Sequence, residues 1–160
     1  MKNLAPIALA TLLTAPLAAT LQADDDLVYV AVDPCRVADT RKTGAGPIKA
    51  GAARNFRVSG SANQLASQGG QVDCPNPREG ERPVAVAAYV LAVPANTSNS
   101  QGVLSAYPSD QPPPPAGSGS TVNFDLDQVI GNTTITTLCS TDNCPGGAEM
   151  AVLARVTNEH

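Results

Sequence analysis

"VAVAAYVLAV", residues 84–93, is the stretch on which the fold class depends, because a run that is apolar throughout is compatible with a buried helix or a buried strand. Pro83 and Pro94 bound this run, and four of its ten residues are valine. A β-branched segment between two prolines favours a strand. Since both faces of that strand would be apolar, we expect it at the centre of a sheet, covered on both sides.

The rest of the chain alternates short β-like segments with turn signals. Gly and Pro number 13 and 14 and are scattered, so they punctuate short elements. Residues 61–69 predict a short helical turn and no more. The further β-like segments, which are rich in β-branched residues or alternate in polarity, are residues 27–32, 54–60, 102–108, 120–127, 132–138 and 149–157. Together they predict an all-β chain, folded as a single-domain antiparallel β-sandwich of jelly-roll or immunoglobulin-like type.

Two polar segments interrupt this pattern. Residues 67–83 are turn-rich and too long for a hairpin connection, which predicts a surface excursion that Cys74 would pin. Residues 109–120, "SDQPPPPAGSGS", begin as a polyproline II segment and end as a Gly/Ser tract. We expect an exposed loop there, and docking on an aromatic groove of a partner is the alternative.

The first 23 residues have the pattern of a secretory signal peptide. Lys2 precedes an apolar stretch, small residues follow it, and three aspartates begin at Asp24. We expect cleavage after Ala23, with cleavage after Ala19 as the alternative. Residues 24–160 would then form one exported domain without a further run long enough to span a bilayer.

Composition narrows the range of partners. Without Lys2 the chain carries nine Lys and Arg against 14 acids, a net charge of −5, which disfavours a nucleic acid. The aromatic set is three Tyr and two Phe without Trp, so few rings are available to stack on bases or sugars. Self-association and a surface glycan or protein remain as candidate partners.

Four cysteines in an exported chain predict two disulfides. Of the three pairings, we prefer the local one between Cys139 and Cys144, which bracket the turn-forming "STDN". The other pair, Cys35 and Cys74, would close a loop of about 40 residues and contribute about 3 to 4 kcal/mol. A zinc site is disfavoured because the spacing lacks two tight pairs and the sole histidine is His160.

"VDPCRVADTR", residues 32–41, concentrates ions in a chain that is otherwise poor in charge. On a regular strand, Asp39 and Arg41 would share a face and Arg36 would lie on the opposite one. A carboxylate can be buried at little cost only when guanidinium and backbone donors use all its lone pairs. We therefore predict a structural polar node made of Arg36, Asp39, Thr40 and Arg41.

A catalytic role for this node would need a second acid, a histidine or a metal at hand. His160 is the terminal residue of the sequence, and paired cysteines leave no thiol nucleophile. Asp125 and Asp127 could supply part of a calcium site, with a solvated strand end as the alternative. We predict no catalytic residues, no metal and no cofactor, and the calcium alternative stays open.

Four blocks of the chain resemble, in order, those of a bacterial exported β-domain family with a P-x-R-x-x-D-T-R signature. The matching positions are Pro34, Arg36, Asp39, Thr40 and Arg41 in the signature, then Val90, Val93, Tyr107 and Pro108, then Asn123, Phe124 and Asn132, and finally Val152 and Val156. The resemblance covers nearly all of the mature chain. It implies an all-β module of secreted and cell-surface proteins, of largely unassigned function and without a known catalytic centre.

The chain departs from that family by its four cysteines, by the Cys74 excursion and by "CSTDNC" where the family usually has a hairpin. It also ends in "NEH", where an aromatic pair commonly closes the final strand of the family. These departures fit a stand-alone version of the domain that disulfides reinforce.

The leading functional hypothesis is a secreted, non-catalytic structural or interaction protein of the cell surface or extracellular matrix that self-assembles into filaments by strand addition. Its expected location is extracellular or periplasmic. The hypothesis rests on "ADDDLVYVAV", where Leu27, Val28, Tyr29 and Val30 could act as an assembly strand that completes a neighbour's sheet. Within one subunit the same residues would form an edge strand.

Two other hypotheses belong to different classes of protein. The second is a module that binds glycans or another surface polymer through residues 96–101 and the proline tract. The third is a hydrolase that draws two acids from the 14 in the chain, although few rings could line a sugar subsite.

Overall fold

The computed structural model describes residues 27–76, 78, 80–93, 101–125 and 128–157. The chain divides into two units, residues 1–30 and residues 31–160, and only residues 27–30 of the first unit are described. The predicted signal peptide lies outside the described residues. The second unit begins at Ala31, seven positions after the domain start predicted at Asp24.

Most of the regular secondary structure described in the second unit consists of antiparallel strands. The strands are β1 (Ala53–Phe56), β2 (Ala85–Ala92), β3 (Gln101–Pro108), β4 (Val122–Phe124), β5 (Ile130–Thr137) and β6 (Met150–Thr157). One sheet has the order β1-β6-β3-β4, and the second contains β2 and β5. The helical elements described are α1 (Ala62–Ala66) and two single 3₁₀ turns, Thr40–Lys42 and Pro145–Gly147. The predicted all-β fold in two antiparallel sheets is confirmed.

Side chains from both sheets form the core. Phe56 of β1 and Met150 and Val152 of β6 are buried together with Leu138, which directly follows β5. Val86 of β2 packs against this cluster from the two-stranded sheet. The two sheets therefore form a sandwich, with the loop residues Ala38, Ile48 and Val58 packed at the same core.

The four-stranded sheet is buried on its outer face too. Tyr107, Ala151 and Leu153 form a second buried cluster there. The predicted excursion 109–120 supplies contacts on this side, because Arg155 donates a hydrogen bond to the carbonyl of Pro114. Although most residues of the proline tract are exposed, the tract thus helps to cover a sheet face.

Two strand predictions are wrong. Residues 27–32 belong to no strand, since an extended segment acquires ladder hydrogen bonds only beside a partner edge. β2 is not a central strand covered on both sides, because its one ladder among the described residues is with β5. One face of β2 is left open, and the Tyr89 side chain on it is 67% exposed.

The remaining β predictions are met with altered ends. β1 ends at Phe56 and does not reach residue 60, and β4 covers Val122–Phe124 of the segment predicted over 120–127, whose residues 126 and 127 are not described. The predicted helical turn is α1, whose Ser61 forms a capping box with Gln64. The excursion 67–83 is only partly a surface loop, because Gly69, Gly70 and Cys74 are buried.

Candidate functional site: a polar node and an open strand edge

The Asp39 carboxylate is the most heavily hydrogen-bonded acid among the described residues. Arg41 donates from Nε to Oδ1 and from Nη2 to Oδ2, each at 2.9 Å. The Arg41 backbone N–H lies 3.2 Å from Oδ1, and Arg36 Nη1 lies 3.4 Å from Oδ2. The side chain of Asp39 is 5% exposed, whereas those of Arg36 and Arg41 are 55% and 56% exposed. Two half-exposed arginines therefore cover a buried carboxylate.

These contacts change the ionisation of the pair. The hydrogen bond from the Arg41 side chain is the largest influence on Asp39, and it lowers the pKa of that carboxyl from 3.8 to about 2 against the opposing effect of burial. The same bond raises the pKa of Arg41 above its ordinary value. Asp39 thus stays ionised at any pH near neutrality and is a poor proton donor or acceptor there.

The local geometry of this node differs from the strand that we expected. Asp39 is extended, with φ −148° and ψ 99°, and it is the N-cap residue of the 3₁₀ turn Thr40–Lys42. That turn brings Arg41 back onto the carboxylate, while Arg36 reaches it from the preceding turn of chain. Arg36 therefore does not lie on an opposite strand face. Thr40 begins the turn, but its carbonyl accepts hydrogen bonds from Thr43, from Oγ1 at 3.1 Å and from the N–H at 3.4 Å, and not from the arginines of the node.

The sequence reasoning missed two residues that hold this node against the rest of the fold. Gln68 Nε2 donates to the carbonyls of Val37 at 2.8 Å and Arg57 at 2.7 Å, and its Oε1 accepts from the Arg57 N–H at 2.9 Å. Gly69 has φ +88°, and a Cβ built on it would lie 2.2 Å from the Asp39 carbonyl oxygen. Only glycine fits so close an approach. The available signal was the "QGG" within the excursion.

The carboxylate of the node is fully engaged by donors of its own chain. Both Asp39 oxygens accept two hydrogen bonds from within the chain. Among the described residues, no cluster of three or more His, Cys, Asp or Glu side chains could hold a metal ion. The arrangement is suited to fixing the crossing of residues 36–41 with the segment after α1.

The two disulfides have the predicted pairing. Cys35 and Cys74 are bonded, with Cα atoms 5.7 Å apart, and Cys139 is bonded to Cys144, with Cα atoms 5.8 Å apart. Cys74 is buried and forms paired backbone hydrogen bonds of 2.8 Å with Gly60. The first disulfide therefore joins the chain just before the node to the excursion after α1.

Asp127, one of the two acids considered for calcium, lies outside the described residues. Asp125 accepts a hydrogen bond from Gln101 Nε2 at 3.0 Å. These two residues and Phe124 line a shallow pocket of about 330 Å³ at one end of β3 and β4. Of the predicted glycan-binding segment 96–101, only Gln101 is described.

The predicted assembly residues are strongly exposed. Leu27 is 79% exposed, Val28 66%, Tyr29 81% and Val30 37%. No charged side chain occurs in residues 27–32. Single exposed apolar residues are normal on a protein surface, whereas a contiguous run of them indicates an interaction site.

The outward face of the β2–β5 sheet is a second exposed apolar surface. Tyr89, Leu91 and Ile135 point outward from it, and Tyr89 lies so close to Gly131 across the ladder that a Cβ there would meet its hydroxyl at 2.3 Å. Neither β2 nor β5 contains a charged residue. We call the strand edge of β2 that faces away from β5 the open edge, and it borders this exposed face.

Within the part of the chain that the structure describes, no helix is long and apolar enough to cross a membrane. Comparison of the chain with protein-family models, with curated proteins and with solved structures finds no match in any of the three.

Proposed function

We propose that this chain is a secreted, non-catalytic structural protein that self-assembles into filaments by strand addition. The observation that carries the proposal is the segment 27–32, which is apolar, uncharged and outside every strand of its own subunit. An extended segment of this kind can satisfy its backbone N–H and C=O groups and bury its side chains on a sheet edge of another molecule.

The disulfides support an extracellular or periplasmic location. Both pairs of cysteines are oxidised, which is typical of proteins that work outside the reducing cytosol. The leader-like residues 1–23 point in the same direction.

A structural role also agrees with the chemistry of the polar node. Asp39 is held ionised by two arginines, and its lone pairs are occupied by donors of the same chain. A general acid or base would need a pKa near the working pH and access to a substrate. The node instead resembles an internal tie between two segments of a cross-linked domain.

The test is the oligomeric state of the protein, expressed with its leader and purified after export. We expect size-exclusion chromatography with light scattering to show concentration-dependent oligomers, and electron microscopy to show filaments. Tyr29→Asp places a charge in the segment and should yield a monomer, whereas the control Tyr29→Phe keeps the ring and should assemble like the parent. A parent that stays monomeric at high concentration would refute the proposal.

Binding of a surface polymer is the second candidate, and the pocket beside Asp125 and Gln101 is the observation that favours it. Its mixed polar and apolar lining could take a sugar ring, and Phe124 supplies one aromatic side chain. A glycan array and a pull-down on cell-wall material test this candidate. Retention that is lost on Asp125→Ala would favour it, and no retained ligand would count against it.

A further inference from the structure

The two-stranded sheet leaves the backbone of β2 unpaired on one side. The hydrogen bond from the Leu138 N–H to the Val84 carbonyl, 2.8 Å, extends the β2–β5 ladder by one pair. In an antiparallel ladder, paired residues point their backbone groups alternately toward the partner and away from it. Since Val84 points toward β5, the N–H and C=O groups of Ala85, Ala87, Tyr89 and Leu91 point away from it. No hydrogen bond from these groups to another described residue is found.

Natural sheets usually protect such an edge with charged side chains, proline or a bulge. β2 has the sequence AVAAYVLA, which contains neither a charged residue nor a proline. Its eight residues pair with β5 in unbroken register, so the strand has no bulge. The edge strand β1 differs, since it is four residues long and contains Arg54. β4 is only three residues long.

β5 is less available than β2. Its Asn132 side chain donates to the Thr121 carbonyl at 3.0 Å, and its Thr136 hydroxyl donates to the Ala106 carbonyl at 3.3 Å. These bonds tie β5 to the four-stranded sheet. β5 is as long as β2 and equally uncharged, so the open edge of β2 is preferred only because these side-chain bonds engage β5 and no such bond is found from β2 among the described residues.

We infer that the open edge of β2 is the acceptor for residues 27–32 of a second copy of this chain. This inference rests on the proposed function and specifies the surface on which assembly occurs. The donor is six residues long and would span about 20 Å, while β2 spans about 26 Å. The incoming strand fits within the edge, and neither partner brings a charge into the contact.

The two faces of the donor match the two faces of β2. Alternate donor residues Val28, Val30 and Val32 would continue the inner face, where Val86 and its neighbours on β2 are only half-buried. Leu27 and Tyr29 would continue the outward face beside Tyr89. Tyr29 would then lie beside Tyr89 on a neighbouring strand, and cross-strand pairs of aromatic side chains stabilise a sheet.

The sharpest test uses a proline that removes one outward N–H and leaves the β2–β5 ladder intact. Ala87→Pro deletes a donor that points to the open edge, and proline is tolerated on an edge strand. The matched control is Ala53→Pro, which by the same alternation lies on the free edge of β1, because Ala52 is bonded to Ala154. We expect Ala87→Pro to lose assembly and Ala53→Pro to assemble like the parent. Thermal unfolding and intact disulfides establish that each variant is folded.

Mixing two assembly-defective variants tests whether the contact is head-to-tail. Tyr29→Asp retains the acceptor, and Ala87→Pro retains the donor, so an equimolar mixture should form a 1:1 dimer that grows no further. Assembly of Ala87→Pro alone, like the parent, would overturn the assignment of the edge while the proposed function stands. Two folded variants that stay monomeric in the mixture would overturn it as well. A parent that is itself monomeric would refute the proposed function.

A second measurement does not depend on the folding of the proline variant. A synthetic peptide of residues 24–33 that carries a photo-reactive benzophenone side chain at position 29 is cross-linked to the Tyr29→Asp protein, and the labelled residues are located by mass spectrometry. Labelling within residues 84–93 is the expected result. Labelling on β1 or β4, or no labelling above a scrambled peptide, would overturn the inference.

Discussion

The two sheets of this sandwich use similar strands in different surroundings. The four-stranded sheet is covered on both faces, by Phe56, Met150 and Val152 on the inner side and by Tyr107 and Leu153 on the outer side. The two-stranded sheet is covered on one face and exposes the other. Both β2 and β6 are predominantly apolar, eight residues long and bordered by turn residues, so the difference between them lies in what packs against each strand.

This difference shows that an apolar sequence is not enough to bury a strand. β6 lies between two partner strands, β1 and β3, and the proline tract helps to cover its outer face. β2 has one partner strand among the described residues, and nothing described covers its outward face. An uncovered apolar surface indicates a contact with another molecule.

The largest expected effect distinguishes the core between the sheets from the exposed face of the two-stranded sheet. Phe56→Ala removes a ring that is 3% exposed and should lower the free energy of unfolding by about 4 kcal/mol, because a cavity forms in the core between the two sheets. Tyr89→Ala on β2 should cost only about 0.5 kcal/mol, since that ring stands mostly in solvent. Urea denaturation of the monomeric Tyr29→Asp background measures both. Equal losses would break the comparison between the sheets.

The polar node should contribute the next largest effect, because it anchors Ala38 against the inner core. Asp39→Asn keeps the shape of the side chain but removes its charge, and it should lower the free energy of unfolding by about 2 kcal/mol. The exposed Asp110→Asn is the matched control and should change it by less than about 0.5 kcal/mol. An Asp39 variant that melts like the parent would contradict the node's structural role.

The same carboxylate predicts a pH dependence. Its folded pKa of about 2 lies below the ordinary value of 3.8, so its contribution is complete above about pH 4 and is lost as the pH falls toward 2. The loss should be about 1 to 2 kcal/mol, since the two arginines stand half in solvent. Unfolding free energies measured from pH 5 to pH 2 should fall less steeply in Asp39→Asn than in the parent. Parallel curves for the two proteins would exclude this linkage.

The contact between the proline tract and the outer face of the four-stranded sheet should contribute less to the free energy of unfolding. Arg155→Met keeps the aliphatic stem but removes the hydrogen bond to Pro114, and it should lower the free energy of unfolding by about 1 kcal/mol. Proteolysis within residues 109–120 should become faster in the variant. Arg78→Met, which breaks only the surface pair with Glu81, is the control and should leave both measurements unchanged.

The smallest effect is expected on the outward face of the two-stranded sheet. Ile135 is 77% exposed, so Ile135→Lys should change the free energy of unfolding by less than about 0.5 kcal/mol. Thermal unfolding of the monomeric background is the measurement. A loss of 2 kcal/mol or more would mean that this face is buried within one subunit, and the contrast between the sheets would disappear.

Local patterns were enough to predict much of this fold. The β-like pattern of residues 120–127 predicted the strand β4, and Pro83 with the valines after it favoured a strand at β2. The pairing of Cys139 with Cys144 followed from their proximity in the chain. These features depend on contacts between residues that are close in the chain, and such contacts can be predicted from the order of residues in the sequence.

The wrong predictions concern contacts between distant segments. The node residues were found by their charges, but the 3₁₀ turn that aims Arg41 at Asp39 was not, and neither was Gln68. Residues 27–32 and β2 were both predicted as strands, yet of the two only β2 has a partner strand among the described residues. Strand pairing is non-local, so composition alone cannot indicate which apolar segment finds an edge.

By itself, the sequence determined the all-β class, the two disulfides and the residues of the polar node, because β-branched content, turn signals and clustered charges act over short distances. Only the tertiary structure decided which sheet is covered on both faces, how Gly69 lets the node approach the chain after α1, and which strand edge stays open. Burial and edge pairing depend on what lies beside a strand in space, and that neighbour is set by the folded chain as a whole.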